Sequence, residues 1–428
     1  MGLARPDRNL DSPGFPAGRD APLPQWLFRG ESRPERPRFD SVVVRGNGVG
    51  ALVCAARLAR SPAFAGRVRV ASPFPEASRR LINGCTLRAR SLDYYAAALG
   101  TEPKTLVNGL FGSRREVAET WAQRFALARE EAPGRFTLSP LARWMGDDTP
   151  NPVHAYGLRN GHLVGYLAEQ VAALGVPFDD DVPDSFAECA RRAHGSQPLV
   201  VNGTHLPVAD LPKPPAPERF VVASQHPMRR RPDAVLPAHS SLLGLHRRAG
   251  AFDAGVFYPF VDPLTEGADY YGIMYRIERP GAGFSKPDAL AAMRHTVTGV
   301  ADALGLDPVD ADETRGEAMV PCLPWRDVPT SRPDWLDLHR TYSACTPIIT
   351  GDGMARAGLA GWVASEAILA GDDPVPVTNR SLRLWRSTNR GFAWLMTHLT
   401  GVSERLLRRS PGMVSRAAAA PDMWAGIA

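Results

Sequence analysis

The sequence predicts an α/β protein in which a parallel-sheet domain is interrupted by a separate antiparallel sheet and followed by C-terminal helices. Three observations predict it. A β-branched run, Ser41 to Val44, passes through a glycine turn into the helical segment Ala51 to Ala59, and a β-rich run, Arg67 to Ala71, closes a β-α-β unit. From about 218 to 280 the texture becomes short strands, Arg219 to Ser224, Gly255 to Phe260 and Tyr270 to Ile277, punctuated by Pro and Gly. A second strand, glycine turn and helix then follow between Pro347 and Leu369.

Composition bounds the possibilities. The 428 residues suffice for two or three units with real cores, and 44% hydrophobic with 22% charged residues fits a soluble globular chain. Net charge is +5 from 50 basic and 45 acidic residues, and lysine stands only at Lys104, Lys213 and Lys286. The arginines are interleaved with acids, and the short runs Met228 to Arg231 and Arg405 to Arg409 read as solvated faces, so no nucleic-acid partner is expected. Cys54, Cys85, Cys189, Cys322 and Cys345 are odd in number, widely spaced and without a C-x-x-C pair. That pattern favours buried thiols in a reducing compartment over disulfides or zinc. With no signal-peptide texture and no long apolar run, a cytoplasmic protein without integral membrane association is expected.

Along the chain, residues 1–39 are rich in Pro, Arg and acids and read as an extended arm with Trp26 as its one apolar anchor. After the β-α-β unit, Ser91 to Leu99 reads as a helix ended by Gly100, and Arg114 to Glu131 as a longer helix stopped at Pro133-Gly134. Gly161 to Leu174 is a further helix leading into the extended Val176 to Phe178, and Gln197 to Asn202 a buried strand. Four prolines between Leu211 and Pro217 mark a linker. Helix resumes at Pro287 to Leu304, and the tail from Thr378 reads as amphipathic helix with Trp385, Trp394 and Leu395 on its apolar side. The domain divisions expected are 1–39, 40–217, 218–345, 346–371 and 372–428.

Val42 to Ala51 contains G-x-G-x-x-A, with Gly46, Gly48 and Ala51 at the fixed positions, directly behind a strand and opening a helix. A helix start offers unpaired N–H groups and partial positive charge, and only small residues let a diphosphate approach the backbone there. Gly46 makes the turn, Gly48 admits the phosphate, and Ala51 lets helix and strand pack closely. The acidic residue expected at the end of the second strand, where it would accept from ribose hydroxyls, is replaced by Ser72. The second constellation, Pro347 to Trp362, is a strand, then Gly351-Asp352, then a glycine-containing loop ahead of the helix Val363 to Leu369.

Together these motifs resemble FAD-dependent oxidoreductases of the p-hydroxybenzoate hydroxylase and glutathione reductase type. The resemblance implies a Rossmann-like FAD-binding domain of the glutathione reductase type, formed by 40–217 and 346–371, an inserted antiparallel substrate sheet, and a C-terminal helical tail. Further stretches resemble the same family: Gly84 to Leu87 ahead of Arg90-Ser91-Leu92, Arg159 before the helix Leu163 to Leu174, and Pro198 to Gly203. It implies that Gly46, Gly48, Val49, Gly50, Ala51 and Arg159 hold the diphosphate and Ser72 the ribose. Gly351, Asp352, Gly358, Leu359 and Ala360 would then contact the ribityl and flavin side. The implied activity is oxidation or monooxygenation of a small aromatic or polyketide-like molecule, with FAD as cofactor and a separate flavin reductase or electron donor as possible partner. Asn202-Gly203 stands where flavoprotein hydroxylases carry Asp-Gly, which puts direct reduction by NAD(P)H in question. Arg356 to Gly361 with Ala364 to Ala367 looks more like amine oxidases and carotenoid desaturases, and a non-redox cyclase or binding role is a further alternative. The halogenase signature, a tryptophan motif with a lysine near the first glycine turn, is not visible.

Other residues read blandly. His154, His162, His205 and His226 lack metal-ligand spacing, and Asp179 to Asp181 reads as a solvated loop, so no metal is expected. No nucleophile elbow occurs, and Ser224 and His226 suggest no hydrolase. Phe257, Tyr258, Tyr271 and Tyr275 are candidates either for the core or for an aromatic pocket. No catalytic residue is designated.

Overall fold

A computed structural model describes residues 38–75, 83–88, 91–143, 155–212, 219–248, 251–262, 265–278, 281, 284–309, 316–322, 332–343, 353–383 and 386–387. A four-stranded sheet runs in the order Trp335–Leu336, Pro198–Asn202, Ser41–Arg45 and Val68–Ala71, every pairing parallel. Val42 and Val44 enter one core with the helix Val49–Ala59, while Val43 enters another with Phe186, Val200 and Trp335. A strand buried on both faces has no place for polar alternation, which is why this segment is continuously β-branched. Val70 bridges Phe178 in parallel, extending the sheet edge.

The second sheet has eight strands, with order Leu306–Pro308, Arg219–Arg230, Tyr270–Glu278, Ala251–Pro259, Ser240–Arg248, Ala122–Ala132, Arg135–Arg143, and Gly316–Cys322 alongside Arg219–Arg230. One face is covered by the helix Lys286–Leu304, whose Met293, Val297 and Val300 meet Phe257, Met228 and Met274. The expected helix over Arg114 to Glu131 is corrected here. Only Arg115–Ala118 is helical, and Ala122–Ala132 with Arg135–Arg143 is a β-hairpin. Alanine, arginine and glutamate carry helical propensity, but pairing with Ser240–His246 overrides it. Pro133-Gly134 turns the hairpin, with Gly134 at φ +75°.

A third, three-stranded sheet, Gly84–Arg88, Ala155–Arg159 and Glu119–Thr120, lies between these two. Leu158 bridges Val261 of the large-sheet segment, and Tyr258, Phe260 and Tyr271 form an aromatic cluster against it. A methyl group at Gly84 would stand 2.7 Å from both the Tyr258 hydroxyl and the Tyr271 ring, so the absence of a side chain lets the sheets close. All four candidate pocket aromatics, Phe257, Tyr258, Tyr271 and Tyr275, are buried. The helices Ser91–Leu99 and Asn160–Ala173 form as expected, and the tail begins with the helix Pro374–Ser381. Trp26, Trp385, Trp394 and Leu395 lie outside the described residues. No helix among the described residues is long and apolar enough to cross a membrane.

Candidate functional site

The candidate site lies at the carboxyl ends of the parallel strands, where such sheets place their ligands. Gly46 has φ +83°, a backbone that only glycine adopts without strain, and its N–H donates to the Ala71 carbonyl. The turn therefore leaves the sheet directly beside the end of the second strand. Gly48 is the N-cap of Val49–Ala59, with no side-chain cap and no acid in the first turn. Such a helix start suits an anion. The close approach at Gly48 also has a protein occupant: a methyl there would collide with the Gly203 carbonyl oxygen, and one at Gly203 with Ala51. Gly48 and Ala51 are thus small partly to admit the Asn202–Thr204 loop.

Beneath the turn lies a polar network that the sequence reading missed. Arg45 is fully buried and donates to the carbonyls of Pro183, Leu206 and Pro207 and to Asn202 Oδ1. Asn202 Nδ2 in turn donates to Asp337 Oδ1 at 3.1 Å and to the Thr204 carbonyl at 2.9 Å. Asp337 also caps the helix Leu338–Ser343 by accepting from the Arg340 N–H, and it pairs with the Arg340 guanidinium at 3.1 Å. Burial pushes the Asp337 carboxyl up and the Arg45 guanidinium down. An amide at 202 satisfies a cation on one side and a carboxylate on the other, which explains Asn rather than Asp. The available signal was a polar residue at or just after the end of three buried strands, Arg45, Asn202 and Asp337.

The second helix begins at Gly353, not at Val363, so the expected glycine loop is corrected to nearly three turns of helix. Its glycines serve packing. Gly361 has no room for a methyl against the Gly50 carbonyl, and a methyl on Gly50 would stand 2.8 Å from the Ala357 carbonyl oxygen. The first turn of Val49–Ala59 therefore crosses the second and third turns of Gly353–Leu369 backbone to backbone. Gly358 faces the Tyr95 ring, while Leu359 and Ala360 are fully buried, and the Tyr95 hydroxyl donates to the Met354 carbonyl at 2.6 Å. Val49 is buried in the same core. Gly351, Asp352 and the strand Pro347 to Thr350 lie outside the described residues, as do Arg90 and His154.

Arg159 ends its strand and is the N-cap of Asn160–Ala173. Its Nε donates to Asp262 Oδ1 at 2.7 Å, and Nη2 to Asp262 Oδ2 and to Thr265 Oγ1. Three of its five N–H donors are thereby taken, and Nη1 has no acceptor among the described residues. Ser72 is buried, with its hydroxyl turned toward the Pro73 carbonyl at 3.4 Å. His162 meets the Leu110 carbonyl, and Ser224 lies buried 3.2 Å from His226. Asp179 and Asp181 are paired with Arg192, and Asp179 also with Arg69. Cys54, Cys85 and Cys189 are buried free thiols, Cys54 pushed up to about 12 by burial. Among the described residues no group of His, Cys, Asp or Glu could hold a metal.

No protein-family model matches the sequence, and no curated protein matches it either. Solved structures match the fold. FqzB, in its native crystal structure, superposes with a TM-score of 0.53 at 12% identity, over 91% of this chain and 96% of that one. The myxobacterial chondrochloren halogenase CndH, described as a new variant of FAD-dependent halogenases, gives a TM-score of 0.52 at 14% identity, over 83% of this chain and 81% of that one. The chain thus has a fold in which FAD-dependent enzymes are built, as the strand–turn–helix motifs imply.

Proposed function

We propose that this protein is an FAD-dependent oxidoreductase of the monooxygenase type acting on a small aromatic or polyketide-like molecule. One observation carries the reading: two glycine-led helices some 300 residues apart in sequence cross at Gly50 and Gly361, beside an uncapped helix start at the carboxyl end of a parallel sheet. In this reading Gly46, Gly48 and the N–H groups of Val49 and Gly50 receive the diphosphate, with Arg159 Nη1 as a further donor. Gly351 and Asp352 hold the ribityl side, and Gly358 with the buried Leu359 and Ala360 keep the second helix in place. The flavin, when bound, supplies the redox chemistry; the chain binds and orients it and keeps water from it. Residues 40–217 and 346–371 form the flavin-binding part, except that the hairpin Ala122–Ala132 and Arg135–Arg143 belongs to the substrate-side sheet and the strand Trp335–Leu336 joins the parallel one.

A separate flavin reductase or electron donor fits the Asn202-Gly203 pair, because Asn202 is committed to Arg45, Asp337 and the Thr204 carbonyl. Purified protein mixed with FAD should turn yellow and retain the flavin through gel filtration, and Asp352→Ala should release it. Anaerobic mixing with NADH, NADPH and candidate substrates then tests the chemistry. Failure to take up FAD overturns the reading, while flavin that stays oxidised through turnover favours the non-redox alternative.

A further inference from the structure

Among the described residues the second strand ends in Ser72 where a ribose-binding acid usually stands, and the structure points to a different recognition element. Ser72, at the position of the ribose-binding acid, is buried and faces Pro73. The first large side chain exposed after the strand is Phe74, at 36%. The strand it follows is in parallel register with the glycine-turn strand, Arg45 opposite Ala71, and Gly46 bonds the Ala71 carbonyl. Phe74 therefore leaves the sheet next to the candidate diphosphate turn, on the side of the second strand where a dinucleotide directs its adenosine.

The ring is also held ready. Pro73 and Pro75 flank it, each fixing its own φ, which reduces the freedom the segment would lose on binding. Phe178 supports it edge to face, with centroids 5.1 Å apart and planes at 68°. Phe178 is itself tied to the sheet, since Val70 N–H donates to the Pro177 carbonyl and Asp179 N–H to the Val70 carbonyl, both at 2.9 Å. An exposed aromatic on a stiff support, beside the candidate anion site and on a strand ending in Ser72 rather than an acid, is chemically a stacking surface for a purine base.

We propose that Phe74 is a positioning residue that holds the adenine of the bound nucleotide by stacking, in place of ribose recognition by an acid. The proposal rests on the flavin reading above and concerns its specificity for FAD over FMN. Wild type, Phe74→Ala, Phe74→Leu and Phe74→Trp are titrated with FAD, ADP and FMN, read by intrinsic and flavin fluorescence. Phe74→Ala and Phe74→Leu should weaken FAD and ADP by about tenfold, the order of one lost base–aromatic stack, and leave FMN unchanged. Phe74→Trp should restore both. Unchanged FAD affinity in Phe74→Ala, equal loss of FMN and FAD, or full retention by Phe74→Leu overturns the stacking role. Wild type that binds ADP but neither flavin overturns the flavin reading alone, and its ADP series still decides the stacking role. Wild type that binds none of the three overturns both.

Discussion

Asn202 shows how one atom exchange shapes the centre of the molecule. Its amide accepts from Arg45 and donates to Asp337, so Asn202→Asp sets a second carboxylate against a buried one. In that variant the carboxylates share a proton and the folded-state pKa of the pair rises above the unfolded value. Stability is then retained at low pH and lost as pH rises. Denaturant unfolding should show a small deficit for Asn202→Asp at pH 5 that widens toward pH 8. Asp262 makes the complementary case. It is the carboxylate partner of Arg159, and both are buried. Asp262→Ala should cost about 3–5 kcal/mol in urea unfolding, because it leaves a guanidinium buried without its counter-charge.

At the level of elements, close helix crossing is set by two glycines. Gly361→Ala pushes a methyl into the Gly50 carbonyl and should destabilise by about 1–3 kcal/mol while lowering FAD affinity. Gly353→Ala meets nothing within 4 Å and should be neutral or slightly stabilising, which makes it the control for thermal melting and flavin titration. The strand–turn–helix from Ser41 to Ala59 was legible because β-branched burial and a glycine turn point the same way. The helix start at Gly353 was not, since glycine used for packing looks in sequence like glycine used for a loop. The hairpin of Ala122–Ala132 and Arg135–Arg143 was hidden by its helical composition, and only its distant partner, Ser240–Arg248, decides its form. Arg159 reads in the sequence as a candidate diphosphate donor, but its engagement with Asp262 and Thr265 was not legible, because it joins segments about a hundred positions apart.

For the whole molecule, acid sensitivity should begin at the junction below the glycine turn. Burial, with His205 and Arg340 nearby, pushes His339 down to about 4. The unfolded chain takes up a proton at that residue near its ordinary value of about 6.5, while the folded chain does not. Stability is therefore lost as pH falls from about 6.5 to about 4, and His339→Gln should flatten that limb of a melting-temperature profile.

The large sheet also dictates an order of events during synthesis. Its hairpin pairs in parallel with Ser240–Arg248 through Ala122 and Ser240, 118 positions further along the chain. A ribosome needs on the order of ten seconds to make that stretch, and throughout it the nascent hairpin shows a bare strand edge. Chaperone shelter or slow growth at low temperature would raise the yield of folded protein, whereas a fragment ending before Ser240 would keep the sticky edge permanently and precipitate.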